Sequence, residues 1–161
     1  MLGGDLVTAW APTAPAAISG LLTAFAAEPG LSGVEIHDGP AVTASAALEA
    51  IIVGWYGIKG DALAVEAEIT PAGGSAYPGR EIYAVLCAVM VRDGSGDVAA
   101  ARTRAYALVS ACGSAIARDQ TLGRAVMIAR LGRVSLQQLQ DDHGALAVIE
   151  FTVPCDAFTG R

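Results

Sequence analysis

The sequence predicts an α+β fold: an antiparallel or mixed β-sheet flanked by two main helices and ending in a long β-hairpin. Three observations predict it. Val98, Ala101, Ala105, Leu108, Cys112 and Ile116 recur at helical spacing behind an acidic N-cap candidate, Asp97. Ala147, Ile149, Phe151, Val153 and Cys155 alternate with Val148, Glu150 and Thr152, the period of a half-buried antiparallel strand. Between them, Asp141-Asp142-His143-Gly144 is a turn joining a strand-like run over 124–140 to a return strand over 145–156. Helices set beside hairpins in this order pack as layers around one core.

In chain order, residues 1–10 have no clear period and read as an arm. A helix starts at Thr13 with Pro15 in its first turn, carries Ile18, Leu21, Leu22 and Phe25 on one face, and stops at Glu28-Pro29-Gly30. Val34 and Ile36 alternate with Glu35 and His37 as a short strand. Residues 50–56 are continuously apolar and β-branched, as in a more central strand, and 41–49 reads as a loop or one helical turn. Residues 62–70 alternate Leu63, Val65, Ala67 and Ile69 against Ala64, Glu66, Glu68 and Thr70, a strand with one acidic face. Ten residues rich in Gly, Pro and Ala, 71–80, then form a long hairpin loop, and 81–92 resumes as a strand apolar on both faces and therefore central. The order is helix, four strands, helix, two strands. No repeat or linker interrupts it, so residues 1–161 read as a single domain, long enough to bury about 70% of the unfolded surface.

Composition bounds function. Hydrophobic residues make up 53% and aromatic ones only 6%, so Ala, Val, Leu and Ile build the core. Net charge is −6, and residues 1–58 hold five acids and no Lys or Arg. Phosphate binding needs clustered bases, so direct nucleic-acid recognition is disfavoured. Cys87, Cys112 and Cys155 have no CxxC spacing and no His at zinc-ligand distance, and read as small buried apolar residues of a reducing compartment. The apolar run 16–27 lacks a basic flank, which argues against secretion, and no apolar run reaches the roughly 18 residues of a membrane-spanning helix.

Candidate chemistry is sparse. His37 lies on a strand's polar face and His143 in a turn beside Asp141 and Asp142; neither has a Cys nearby in sequence. Asp93, Ser95 and Asp97 resemble the start of a calcium loop, but Val98 and Arg104 stand where Gly and Glu are needed. No phosphate-cradling glycine motif appears. Glu66 and Glu68 share a strand face, either as an acid and base pair or as a solubilising surface. Arg102 and Arg104 diverge by about 200° on a helix, as on a solvated face or one reaching a neighbouring subunit's acids. With no cofactor or metal motif, the sequence reads as an interaction protein. Its acidic and Arg-bearing surfaces fit head-to-tail contacts that close a ring.

The segments Val34-Glu35-Ile36-His37-Asp38-Gly39-Pro40 and Ile52-Val53-Gly54-Trp55, the helix over 97–119 and the closing hairpin over 132–155 together resemble tail terminator proteins of long-tailed bacteriophages, especially actinobacterial siphophages. Leu136-Gln137-Gln138-Leu139-Gln140, Gly144-Ala145 and Ile149-Glu150-Phe151-Thr152-Val153-Pro154-Cys155 carry most of the likeness, which spans most of 33–156. A composition rich in Ala, Gly, Val and Arg with one Lys fits a GC-rich host. Residues 1–10 and 71–80 have no counterpart. The resemblance implies a virion protein of the tail and neck, assembled in the host bacterial cytoplasm. It implies a homo-hexameric ring that caps the tail tube, contacts the tail tube protein and the head connector or stopper, and lets DNA pass without specific binding. It transfers no catalytic residue and no cofactor. Tyr77, Arg80, Arg102, Arg104, Arg130, Arg133, Asp141, Asp142 and His143 are the expected subunit-interface residues; Glu35, Asp38, Glu49, Glu66 and Glu68 are the expected channel-facing acids. The alternatives are a head-completion or stopper protein of the same neck and, from another class, a small cofactor-free enzyme or ligand-binding domain using His37 or His143.

Overall fold

The structure, a computed structural model, describes residues 11–40, 48–71 and 79–159. The expected arm over 1–10 lies outside them, as do most of 41–49 and 71–80, including Tyr77. Helix α1 spans Ala14–Ala27 and ends in a short 3-10 turn, Pro29–Leu31. Strands β1 (Glu35–Asp38), β2 (Glu49–Val53), β3 (Val65–Thr70) and β4 (Arg80–Asp93) follow. Helix α2 spans Val98–Arg118, and β5 (Ile128–Ala129), β6 (Val134–Asp141) and β7 (Gly144–Phe158) complete the described chain. The α+β expectation therefore holds, with a seven-stranded mixed sheet.

Strand β4 is the centre, as its two apolar faces predict. One edge pairs antiparallel with the full length of β7, and the other is shared by β2 and β3. Strand β7 in turn carries β6 and β5 along its far edge. Strand β1 adds to β2 in parallel, which makes the sheet mixed.

Both helices cover one face. The alternation of β4 sends Tyr83, Val85, Cys87, Val89 and Val91 into the core, against Ala147, Ile149, Phe151 and Val153 of β7. Helix α2 meets them with Ala101, Ala105, Leu108, Cys112 and Ile116, and α1 with Ala17, Leu21 and Phe25. Asp97 caps α2, its Oδ1 accepting the Ala100 amide at 3.0 Å. Gly20 is where α1 touches the 119–125 turn: a Cβ there would stand 2.4 Å from the Leu122 carbonyl oxygen.

The second face is covered only in part. Residues 54–64, expected partly as strand, instead leave the sheet and cross this face as a strap. The Gly54 and Trp55 amides donate to Leu86 O, the Leu86 amide to Ala64 O, and the Ile58 amide to Glu150 Oε1 at 2.9 Å. Under the strap, Trp55 packs with Ile52 and Ala88.

The run over 124–140, expected as one strand, is broken into β5 and β6. Two local causes break it. Asp119 gathers the Thr121 amide and hydroxyl and the Gly123 amide at 3.0, 2.6 and 2.8 Å, which bends the chain, and Leu122 and Arg124 take left-handed φ of 50° and 71°. Further on, Gly132 and Arg133 both oppose Thr152, a β-bulge; the Gly132 amide donates to Thr152 O and the Thr152 amide to Arg133 O.

Candidate functional site

The exposed sheet edges are the site this fold offers for a partner. Among the described residues β3 pairs only with β4 and β6 only with β7, whereas β5 pairs with β7 on one edge and on the other is met by the preceding turn, its Ala129 amide donating to Gln120 O at 2.7 Å. A strand bonded on one side presents unpaired N–H and C=O groups on the other.

The expected interface arginines fall into two groups. Arg80 is held by Asp156 through two contacts, Nε to Oδ1 at 3.0 Å and Nη2 to Oδ2 at 2.5 Å, and this hydrogen bonding keeps the Asp156 carboxyl below the ordinary carboxylate range. Arg104 makes a bidentate pair with Glu49, and Arg102 donates to Gln138 Oε1 at 2.8 Å. These three are engaged within the chain. Arg130 and Arg133 are exposed and have no acidic partner among the described residues. At the hairpin tip, Asp141 accepts the His143 amide at 2.7 Å and pairs with Arg92 at 2.9 Å; the His143 amide first, and Arg92 after it, lower its pKa.

The five expected channel acids do not share a face. Register puts Glu35, Glu66 and Glu68 on the face crossed by the strap, because they pair with Ala50, Ala84 and Ile82. Glu49 lies on the helix face opposite Val91, where Arg104 holds it, and Asp38 is in register with Val53 on that same face.

Histidines and cysteines are kept apart from one another. His37 Nε2 stands 3.8 Å from Glu35 Oε2, and His143 Nδ1 stands 3.7 Å from Asp141 Oδ1. All three thiols are buried, and burial pushes Cys87 and Cys155 up to about 12 and raises Cys112 as well. A thiol so placed stays protonated at neutral pH and is a poor nucleophile. Among the described residues no three His, Cys, Asp or Glu side chains gather as a metal site, and no helix is long and apolar enough to cross a membrane.

A cleft of about 740 Å³ lies between α1, the end of α2 and the following turn. Ala16, Gly20, Ala24 and Ala115 line its small-residue walls, and Glu28 and Arg118 meet at 3.0 Å, an ion-pair contact without hydrogen-bond alignment. No His or Cys lines it.

One polar cluster escapes the sequence reading. Glu81 is fully buried, and its Oε1 accepts both the amide and the hydroxyl of Thr13, at 2.8 and 2.7 Å. With that hydroxyl proton committed, Tyr83 OH donates to Thr13 Oγ1 at 2.8 Å. The cluster anchors the start of α1 to β4. The signal was present: Glu81 has the same parity as Tyr83 and Val85, so alternation alone places it on the core face.

The class defined by these elements is α+β, a mixed sheet with two helices on one face. No protein-family model matches the chain. No curated protein matches it. Among solved structures, a chain described as "Virion of native gene transfer agent (GTA) particle" is similar, with TM-score 0.52 at 13% sequence identity, over 94% of this chain and 97% of that one. At that identity the likeness is one of fold.

Proposed function

We propose that this chain is a structural component of a phage-type virion, specifically a tail terminator whose copies close into a ring. In this reading the ring caps the finished tail tube, ends its polymerisation and joins it to the head connector. The observation that carries the proposal is the likeness of fold to a chain of a gene transfer agent virion over nearly the whole of both chains. The exposed edges agree with it, since head-to-tail contacts between unlike edges generate rings. An enzyme or ligand-binding reading has the cleft between the helices as its best site, and neither histidine reaches it.

The test is the mass of the purified chain by native mass spectrometry or light scattering, alone and with tail tube protein, across a concentration series. A closed assembly of about six copies, formed alone or on tube ends, is expected. A monomer or dimer that ignores tube protein would overturn the proposal.

A further inference from the structure

We infer that the tip of the strap of one copy, residues 56–63, seats in the cleft between α1 and the end of α2 of the next, with Lys59 and Asp61 set against Asp119 and Arg124. The inference rests on the ring reading above and names one of its subunit contacts.

The strap tip has the form of a preformed knob. Its neck is closed by the Ala62 amide donating to Tyr56 O at 2.9 Å, and inside it the Gly60 amide donates to Gly57 O at 3.1 Å. The closure is tight. Gly57 takes a left-handed φ of 87°, and a Cβ there would stand 2.8 Å from the Ala62 Cβ. The Ile58 amide on Glu150 then ties the tip to the sheet. A loop ordered in this way loses little conformational freedom on docking. Yet it turns three large apolar side chains outward: Tyr56, Ile58 and Leu63 are 43%, 38% and 64% exposed.

The cleft can receive that knob. Helix α1 has no charged residue from Ala14 to Ala27, and Ala16, Gly20, Ala24 and Ala115 form walls of small side chains. An apolar loop therefore enters without stripping water from ions on those walls. Charge complementarity aligns it. Lys59, Asp61 and Arg124 are exposed and have no ion-pair partner among the described residues. Asp119 Oδ2 accepts the Gly123 amide alone among those residues, which leaves a lone pair for Lys59, and Arg124 of the same turn faces Asp61. The strap crosses the sheet face opposite the helices, whereas the cleft lies in the helix layer. Each copy thus carries knob and hole on opposite sides, and the contact is unlike to unlike, as a ring requires.

The experiment uses full chains, with mass measured by native mass spectrometry and fold checked by circular dichroism. Asp61→Arg or Arg124→Glu alone should raise the concentration needed for assembly at least about tenfold, and one chain carrying both changes should recover it. Both side chains are exposed, so the variants are expected to fold. In parallel, chains carrying Ile58→Cys or Thr23→Cys are treated with a short bismaleimide; the three native thiols are buried and stay out of the reaction. The mixture should give a cross-linked dimer, and each chain alone should not. Cross-linking of the Ile58→Cys chain with itself would mean that straps meet each other, which overturns the contact. So would two impaired single variants without recovery in the double. If the wild-type chain assembles, neither charge variant is impaired and the mixture does not cross-link, the ring reading stands and this contact is wrong. If the wild-type chain never assembles, with or without tube protein, both fall.

Discussion

Each cysteine sits on a core position of the sheet or of α2, and burial is the first cause that holds its thiol proton. The linkage has a definite sign. In the unfolded chain a thiol ionises near pH 8.5, about its ordinary value. In the folded state Cys87 and Cys155 ionise at about 12. The folded state thus binds more protons above the unfolded value, and stability falls as pH rises from there through the folded value. Tyr83, raised first by desolvation, acts in the same direction. The denaturant midpoint should accordingly be lower at pH 10 than at pH 7.5, with a smaller fall in a variant carrying Ala at all three Cys positions. An aromatic disulfide reagent at pH 8 should leave the native protein unlabelled and take up three equivalents after unfolding. Rapid native labelling would mean that the thiols reach water. Cysteine burial was legible from sequence because all three fall on apolar faces. The Glu49 to Arg104 pair was not, because its partners are 55 residues apart.

At the scale of elements, what was legible is what local chemistry decides. Pro15 and Pro29 bound α1, and Asp97 starts α2, each through a group within one turn of the helix end. The alternation of β4 and β7 needed only their own side chains. The break at 124–140 was not legible, because Val126, Met127 and Ile128 look like strand while Asp119 and the bulge at Gly132 decide otherwise. Gly132 supplies a test of that bulge. A Cβ there would lie 2.6 Å from Thr152 Oγ1 and 2.7 Å from Pro154 Cδ, with the ring unable to swing aside. Gly132→Ala should destabilise by about 1–3 kcal/mol in urea titration, the ordinary cost of forcing an atom into a packed site. Full stability in the variant would show that β6 and β7 can slide apart there without cost.

For the whole molecule, strand order was beyond the sequence, because partner choice depends on contacts far apart in the chain. The parallel β1 to β2 pair, the strap over 54–64 and the sharing of one β4 edge by β2 and β3 are all of this kind. Charge, by contrast, could be read early and has a consequence for DNA. The net charge is −6, and within the chain Arg80, Arg92, Arg104 and Arg118 are each already paired with a carboxylate. Of the bases left, Arg102 is turned to Gln138. Too few then remain for the several phosphate contacts that duplex affinity requires, and the surplus acids repel the backbone. Anisotropy of a labelled duplex should therefore show no binding by the assembled protein at ~0.15 M salt, with any dissociation constant weaker than ~10⁻⁴ M, the weak end of non-specific binding. Micromolar binding with a steep salt dependence would mean that assembly gathers the remaining bases into a stripe. A ring through which DNA must slide would then hold its cargo, and the terminator reading would lose its physical basis.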